Sequence, residues 1–279
     1  MRINTNVSSL VAQESTTQTN SRISSSLEKL SSGLRINKAA DDASGLAIAD
    51  KLRTQASSIN QGISNGNSAV ALLQIADKSM AEQSNILDTV KAKLIQANTS
   101  TTSEDGRESI RKDIAKLLEQ LDNIAEQTNY NGTQLLQSSS SSASASSTLS
   151  FQIGEKNTDI IELGAIRANT SGLGLASLAT ATSLTASMAS SMQTTVDDAI
   201  TTLNEYRGDI GSTQNQVESA IRNLTTQATN ITNAESVIRD VDYAAESANY
   251  NKLNIIAQAG SYAISQANSA QQNVLRLLQ

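Results

Sequence analysis

The sequence predicts a mainly α protein built of long helices, on three observations. Pro is absent from all 279 residues, so no residue of the type that breaks helices interrupts the chain. Apolar residues recur at alternating steps of three and four over most of its length, the spacing of one helical face. Aromatic residues make up only 2%, with Phe151 the single Phe and no Trp, so Ala, Leu, Ile and Val must fill any core. A core that thin suits an elongated chain.

The first helical signal is Ile23, Leu27, Leu30 and Leu34, preceded less regularly by Val7, Leu10 and Val11 and weakened at its end by Gly33. The second runs Leu52, Ala56, Ile59, Ile63, Gly66, Val70, Leu73, Met80, Leu87 and Leu94, with Asp77, Ser84 and Lys91 interrupting one seam position. From Leu52 to Ala97 it would extend about 70 Å, at ~1.5 Å per residue. The third reads Ile110, Ile114, Leu117, Leu121 and Ile124; Ser103 supplies a cap, Glu104 and Asp105 an acidic first turn, and Glu108 with Lys112 an i,i+4 pair. The stretch SSSSSASASST at 138–148 cannot pack a core and reads as an exposed linker. Leu149, Phe151 and Ile153 then alternate, GEKN turns, and Ile160, Ile161 and Leu163 complete one small β-hairpin. The fourth helical signal spans Val196 to Ile238, with Arg207, Gln214 and Glu235 at polar seam positions. A last seam runs Leu253, Ile256, Gly260, Ala263, Ala267, Ala270, Val274 and Leu277. Stripes repeating every 3.5 residues need partner helices, so both end helices are expected to be interface, including Leu278 beyond the last seam position.

Composition removes whole classes of function. With no His and no Cys, thiol chemistry, disulfides, the commonest metal ligands and the usual neutral-pH general base are absent. Asp41 and Asp42 are the one adjacent acidic pair in a non-periodic patch. No third ligand completes a metal site there, so they read as caps for a helix beginning near Ala43. No phosphate-binding glycine motif occurs. The expectation is no enzyme, no cofactor and no metal. A net charge of −6 without a basic run argues against nucleic acid and anionic membranes. The longest apolar run, Ala69 to Leu73, is too short to span a bilayer, and MRINTNVSSLVAQ has no apolar core of a cleaved signal. By these rules alone the protein would be cytoplasmic.

Two stretches carry a resemblance. LEKLSSGLRINKAADDASGLAIADKLRTQ at 27–55 resembles the N-terminal signature of bacterial flagellins, and ESVIRDVDYAAESANYNKLNIIAQAGSYAISQANSAQQNVLRLLQ at 235–279 resembles their C-terminal signature. The match covers roughly 1–136 and 190–279. Gln271-Gln272 departs from the family, where many relatives have Pro before Gln-Asn-Val-Leu.

The resemblance implies long antiparallel helices forming a terminal coiled-coil domain (1–40 with 240–279) and a helical rod domain (41–136 with 180–239). The Ser-rich loop and hairpin (137–179) form the insert, with no large outer domains. It further implies a subunit that polymerises with itself into the extracellular filament, and so overturns the cytoplasmic expectation. Export would be by the flagellar type III route, with partners in an export chaperone at the C-terminal helix, the filament cap and the hook-filament junction proteins. Arg35, Asn37, Asp41 and Asp42 would form the connector where the chain leaves the inner helix, and Arg239, Asp240 and Asp242 the return crossing. A hook-filament junction protein is the nearest alternative, but its counterpart of ADDASGLAIA carries Pro where this chain has Ala43; a helical adaptor would share heptads but not both signatures.

LDTVKAKLIQANT at 87–99 is most like the rod-helix segment of the Campylobacter and Helicobacter group. Lys91, Ala92 and Lys93 stand where toll-like-receptor-activating flagellins have Arg, Glu and Leu, which implies weak recognition. Ser138, Ser139, Ser140, Ser141 and Ser142 are candidates for O-linked sugars.

Overall fold

The structure, a computed structural model, describes residues 5–137 and 145–277, the side chains of 274–277 excepted. Its helices are α1 (Val7–Ser32), α2 (Ala43–Asn98), α3 (Glu104–Gln127), the single turn α4 (Ala176–Ala179), α5 (Ala186–Arg239) and α6 (Tyr243–Leu277). Two antiparallel hairpins pair β1 (Asn129–Tyr130) with β2 (Thr133–Gln134), and β3 (Leu149–Gln152) with β4 (Ile160–Leu163). The chain divides into two compact units, Met1–Ala56 with Thr229–Gln279, and Ser57–Ala228.

In the Ser57–Ala228 unit, α2 buries Leu73, Ala76, Met80, Gln83, Leu87, Val90, Leu94 and Ala97, an unbroken alternation of threes and fours. Against it pack Ile114, Leu118 and Leu121 of α3 and Val196, Ala199, Leu203 and Ile210 of α5. The expected seams are therefore right in every second position and one residue out in the others. Ala76, Gln83 and Val90 are buried where Asp77, Ser84 and Lys91 were expected, and Thr213 where Gln214 was; Ala199 is buried in the turn after Val196. Counting bulky apolar residues passed over Ala76, Ala199 and Thr213 because they are small and Gln83 because it is polar, its buried amide donating to Leu121 O at 3.2 Å and Ala168 O at 2.7 Å. The displaced charges flank the seam and pair across it, Arg207 with Asp77 at 2.9 Å and Lys91 with Asp197 at 2.5 Å.

Ser103 caps α3 through Gly106 N–H at 3.2 Å, as expected, but Glu108 bonds Arg111 at 2.7 Å more closely than Lys112 at 3.7 Å. The β3–β4 register sets Leu149 against Leu163 and Phe151 against Ile161. This hairpin lies directly on α2. Asn65 Nδ2 donates to Gln152 O at 3.0 Å, and a Cβ at Gly62 would overlap the carbonyl oxygen of Ile153. The β1–β2 hairpin was not expected; Asn131 and Gly132, both at positive φ, make its two-residue turn. The expected exposed linker is also corrected at its end. Ser146 is buried, donating its N–H to Ile166 O at 2.7 Å and accepting Ile166 N–H on its hydroxyl at 2.9 Å.

Candidate assembly interface

The Met1–Ala56 and Thr229–Gln279 unit is an antiparallel pairing of α1 with α6. Asn6 caps α1 by accepting from Ser9 N–H at 3.1 Å, and its Nδ2 donates to Ala267 O at 3.1 Å. At the other end of the pair the Ser26 hydroxyl donates to the Glu246 carboxylate. Midway, Gly260 faces Thr16: an added Cβ would stand 2.6 Å from Thr16 Oγ1, so glycine sets how closely the helices approach.

The covered positions of α1 are Ser9, Ala12, Thr16, Thr19, Ile23, Ser26 and Leu30. Those of α6 are Glu246, Tyr250, Leu253, Ala257, Gly260, Ile264, Ala267 and Gln271. Both sets repeat every 3.5 residues, as a coiled-coil seam requires. The seam is nonetheless built mainly of small and polar side chains. Beside Ile23, Leu30, Leu253 and Ile264 in the seam, other large apolar residues point outward: Val7, Leu10, Val11 and Leu27 of α1, and Ile255, Ile256 and Tyr262 of α6, with Ile255 67% and Tyr262 74% exposed.

Of the residues singled out from the sequence, Ile23, Leu30, Leu253, Gly260 and Ala267 lie in this intrachain seam. Leu27, Ile256 and Ala263 face solvent instead, the adjacent Ser26, Ala257 and Ile264 taking the seam positions. Leu34 is half-buried, its backbone bridged to Asp240. Val274 and Leu277 fall in the last turns of α6, where side chains are not described, and Leu278 lies outside the described residues. Ser9, Thr16, Thr19, Ser26, Glu246 and Gln271 were missed, since a count of apolar positions passes over them.

The connector after α1 begins at Gly33, which ends the helix in the left-handed region (φ 76°) and donates its N–H to Lys29 O at 3.0 Å. Residues 33–35 and 239–241 then form a short ladder: Arg35 N–H donates to Arg239 O at 2.7 Å and Val241 N–H to Gly33 O at 3.0 Å. The Arg35 guanidinium donates to Ile238 O at 2.6 Å, and Asn37 Nδ2 to Ser32 Oγ at 2.7 Å. Asp42 caps α2, accepting Gly45 N–H at 2.9 Å. Asp41 does not share that task, as the sequence reading had it. Its Oδ2 accepts the backbone N–H groups of Lys38 and Asn37 at 3.0 and 3.1 Å, and those two bonds, Lys38 first, hold its carboxyl below the usual carboxylate range. Glu28 accepts from Lys38 at 2.6 Å and, as the main cause, raises that ammonium above its ordinary value. At the return crossing Arg239 reaches Asp50 at 3.6 Å and Glu235 at 3.8 Å, while Asp242 caps α6 through the N–H groups of Ala244 and Ala245.

In the other unit, Lys91 and Lys93 are held by ion pairs to Asp197 and to Asp113 (2.8 Å), and Ala92 between them is exposed. Ser138, Ser139, Ser140, Ser141 and Ser142 lie outside the described residues. Among the described residues no three His, Cys, Asp or Glu side chains come together to hold a metal ion. No described helix is long and apolar enough to cross a membrane.

Two family descriptions match this chain: the bacterial flagellin N-terminal helical region over residues 3–141, and the bacterial flagellin C-terminal helical region over residues 193–278. The chain is also similar end to end to flagellin of Bacillus subtilis strain 168, at 34% identity over 303 residues and 100% of both chains. It belongs to the bacterial flagellin family.

A second full-length match within the family is the flagellar filament 30.7 kDa core protein of Treponema maltophilum, 34% identical over 288 residues and 100% of both chains. Flagellin B of Helicobacter pylori is 46% identical over 193 residues, 66% of this chain; the match spans only 37% of that longer relative. Among solved structures, the crystal structure of Bacillus cereus flagellin aligns with a TM-score of 0.50 at 27% identity, covering 62% of this chain and 94% of that one. A putative flagellar hook-associated protein of Vibrio parahaemolyticus aligns at 0.59 but only 11% identity, which speaks to fold alone.

Proposed function

We propose that this flagellin is a structural, non-catalytic subunit that polymerises with copies of itself into the extracellular flagellar filament and so serves swimming motility. The carrying observation is the inverted distribution of side chains in the α1–α6 pair. Its own seam is mainly small and polar, with Ile23, Leu30, Tyr250, Leu253 and Ile264 as its large members, while Val7, Leu10, Val11, Leu27, Ile255, Ile256 and Tyr262 are turned outward. Apolar residues lined along paired helices in this way are surface left for neighbouring subunits to cover. The full-length relatives named as flagellins and filament core proteins support the filament over the hook-filament junction. In the filament, residues 1–40 with 240–279 form the inner domain, 41–136 with 180–239 the rod, and 137–179 the insert.

Delivery by the flagellar type III apparatus, a chaperone on α6, and contacts with the filament cap and junction proteins complete this reading. Lys91, Ala92 and Lys93 weaken toll-like receptor recognition, since both lysines are already committed to ion pairs within the subunit and a missing anchor typically costs about 2 kcal/mol or more. Purified monomer should activate a receptor reporter cell poorly; strong activation contradicts that assignment. The filament reading itself is tested by adding purified protein to sheared filament seeds and following length by electron microscopy. Elongating filaments are expected, and a subunit that stays monomeric on seeds contradicts the reading.

A further inference from the structure

With no Cys, Trp or His in the chain, its four methionines are the side chains that a mild oxidant attacks first. Met1 lies outside the described residues, and Met80 is 0% exposed in the α2 seam. Met188 and Met192 stand one turn apart on α5, both half-buried and packed against the edge of the same core. Their thioethers differ in one respect. The Ser177 hydroxyl of α4 donates to Met192 Sδ at 3.8 Å, whereas among the described residues Met188 bonds through its backbone alone, its N–H to Thr185 and its carbonyl from Ser191. Leu178, 3% exposed, seats the single turn of α4 in the core, and the neighbouring Ser177 stays at the surface beside α5.

A thioether sulfur is a weak acceptor and a sulfoxide is polar, so a hydroxyl already aimed at the sulfur is in place to bond the oxygen when it is added. Because Ser177 is exposed, a small oxidant can approach the sulfur from that side. We propose that Met192 is a reversible oxidation site for peroxides, with Ser177 the group that accommodates its sulfoxide. A sulfur lone pair attacks one peroxide oxygen, and the S–O bond forms as the O–O bond breaks. The other oxygen takes the proton of the transferred one and leaves as water, so sulfur loses two electrons and the peroxide gains them. A methionine sulfoxide reductase with a thiol reductant reverses the step. Oxidant is thereby taken up at the surface, while Met80, whose sulfoxide would set a polar group in the seam, stays reduced. This inference is independent of the filament reading.

The test applies hydrogen peroxide to the full-length chain carrying Met188→Leu, which leaves Met192 as the one half-buried thioether among the described residues. Met1, present in every sample, contributes equally to each. Peptide mass mapping should find Met192 sulfoxide while Met80 remains a thioether. Melting of the Ser57–Ala228 unit, followed by circular dichroism against each chain's own untreated form, should stay unchanged. Adding Ser177→Ala leaves the new oxygen without its donor, and melting should then fall by about 2–4 °C on peroxide treatment. Ser177→Thr, which keeps a hydroxyl, should respond as Ser177 does. The reductase should return the treated Ser177→Ala chain to its untreated melting, and Met192→Leu should make that chain indifferent to peroxide. Resistance of Met192, or oxidation of Met80 at the same rate, overturns the proposal. So does an equal response with and without the hydroxyl, whether both chains fall or neither does.

Discussion

The two units of this flagellin solve the problem of burial in opposite ways. In Ser57–Ala228 the heptad positions of three helices are filled by Leu73, Met80, Leu87 and Leu94, by Ile114, Leu118 and Leu121, and by Leu203 and Ile210, all but hidden from solvent. Each such side chain contributes about 1.5–3 kcal/mol through burial. In the α1–α6 pair the seam offers Ser9, Ala12, Thr16, Thr19 and Ser26 against Ala257, Gly260 and Ala267, with Ile23, Leu30, Leu253 and Ile264 as its large aliphatic members. Ordering the backbone there costs about 1–2 kcal/mol per residue, which so little apolar burial does not offset. One unit carries its core; the other, on the proposed filament reading, carries half of an interface. The difference teaches that heptad spacing alone does not tell a self-sufficient bundle from a surface made for assembly. The identity of the residues in the seam does.

The largest effect that would break this contrast comes from removing residues 260–279. Polymerisation on seeds should disappear while the melting of the Ser57–Ala228 unit, followed by circular dichroism, is retained. Filaments formed by the truncated chain would show that α6 is dispensable to assembly. Leu87→Ala sharpens the other side of the comparison: it empties a site 0% exposed and should destabilise that unit by about 2–5 kcal/mol in urea unfolding. Gly62→Ala sets a methyl against the Ile153 carbonyl, forces the β3–β4 hairpin off α2, and should cost about 1–3 kcal/mol in the same measurement.

The smallest effect concerns the connector. Asp41 is held below its ordinary value of 3.8 by the two N–H groups it accepts, so its contribution is present above that pH and lost as the pH falls through its lower folded value. Protection of the Asn37 and Lys38 amides, taken relative to their intrinsic exchange rate at each pH, should therefore be lost below the ordinary Asp range in the unaltered chain. Asp41→Asn should remove that pH-dependent loss; an unchanged profile would assign it elsewhere.

Much of this was legible beforehand. Helix existence, the β3–β4 hairpin and the connector at 33–42 could be read because apolar spacing and Gly33, Asp41 and Asp42 are strong local signals. What could not be read was which neighbouring position is buried. Ala76 and Ala199 lie inside because close helix approach favours small side chains there, Gln83 because its amide donates to Leu121 O and Ala168 O, and Leu27 and Ile256 lie outside beside Ser26 and Ala257, which take the seam. Asp41 was assigned to α2 because adjacent acids look alike in sequence, whereas only Asp42 stands one residue before the first turn. The β1–β2 hairpin escaped notice because two-residue strands carry almost no pattern; only Asn131-Gly132 announced a turn.

Hydrogen exchange compared between monomer and filament tests the central contrast most directly. Amides of α1 and α6 should exchange freely in the monomer and become protected on polymerisation, while those of α3 and of α2 and α5 within 57–228 should be protected in both. If α1 and α6 are already protected in the monomer to the same degree as the α2–α3 core, their pairing is self-sufficient and the account is wrong.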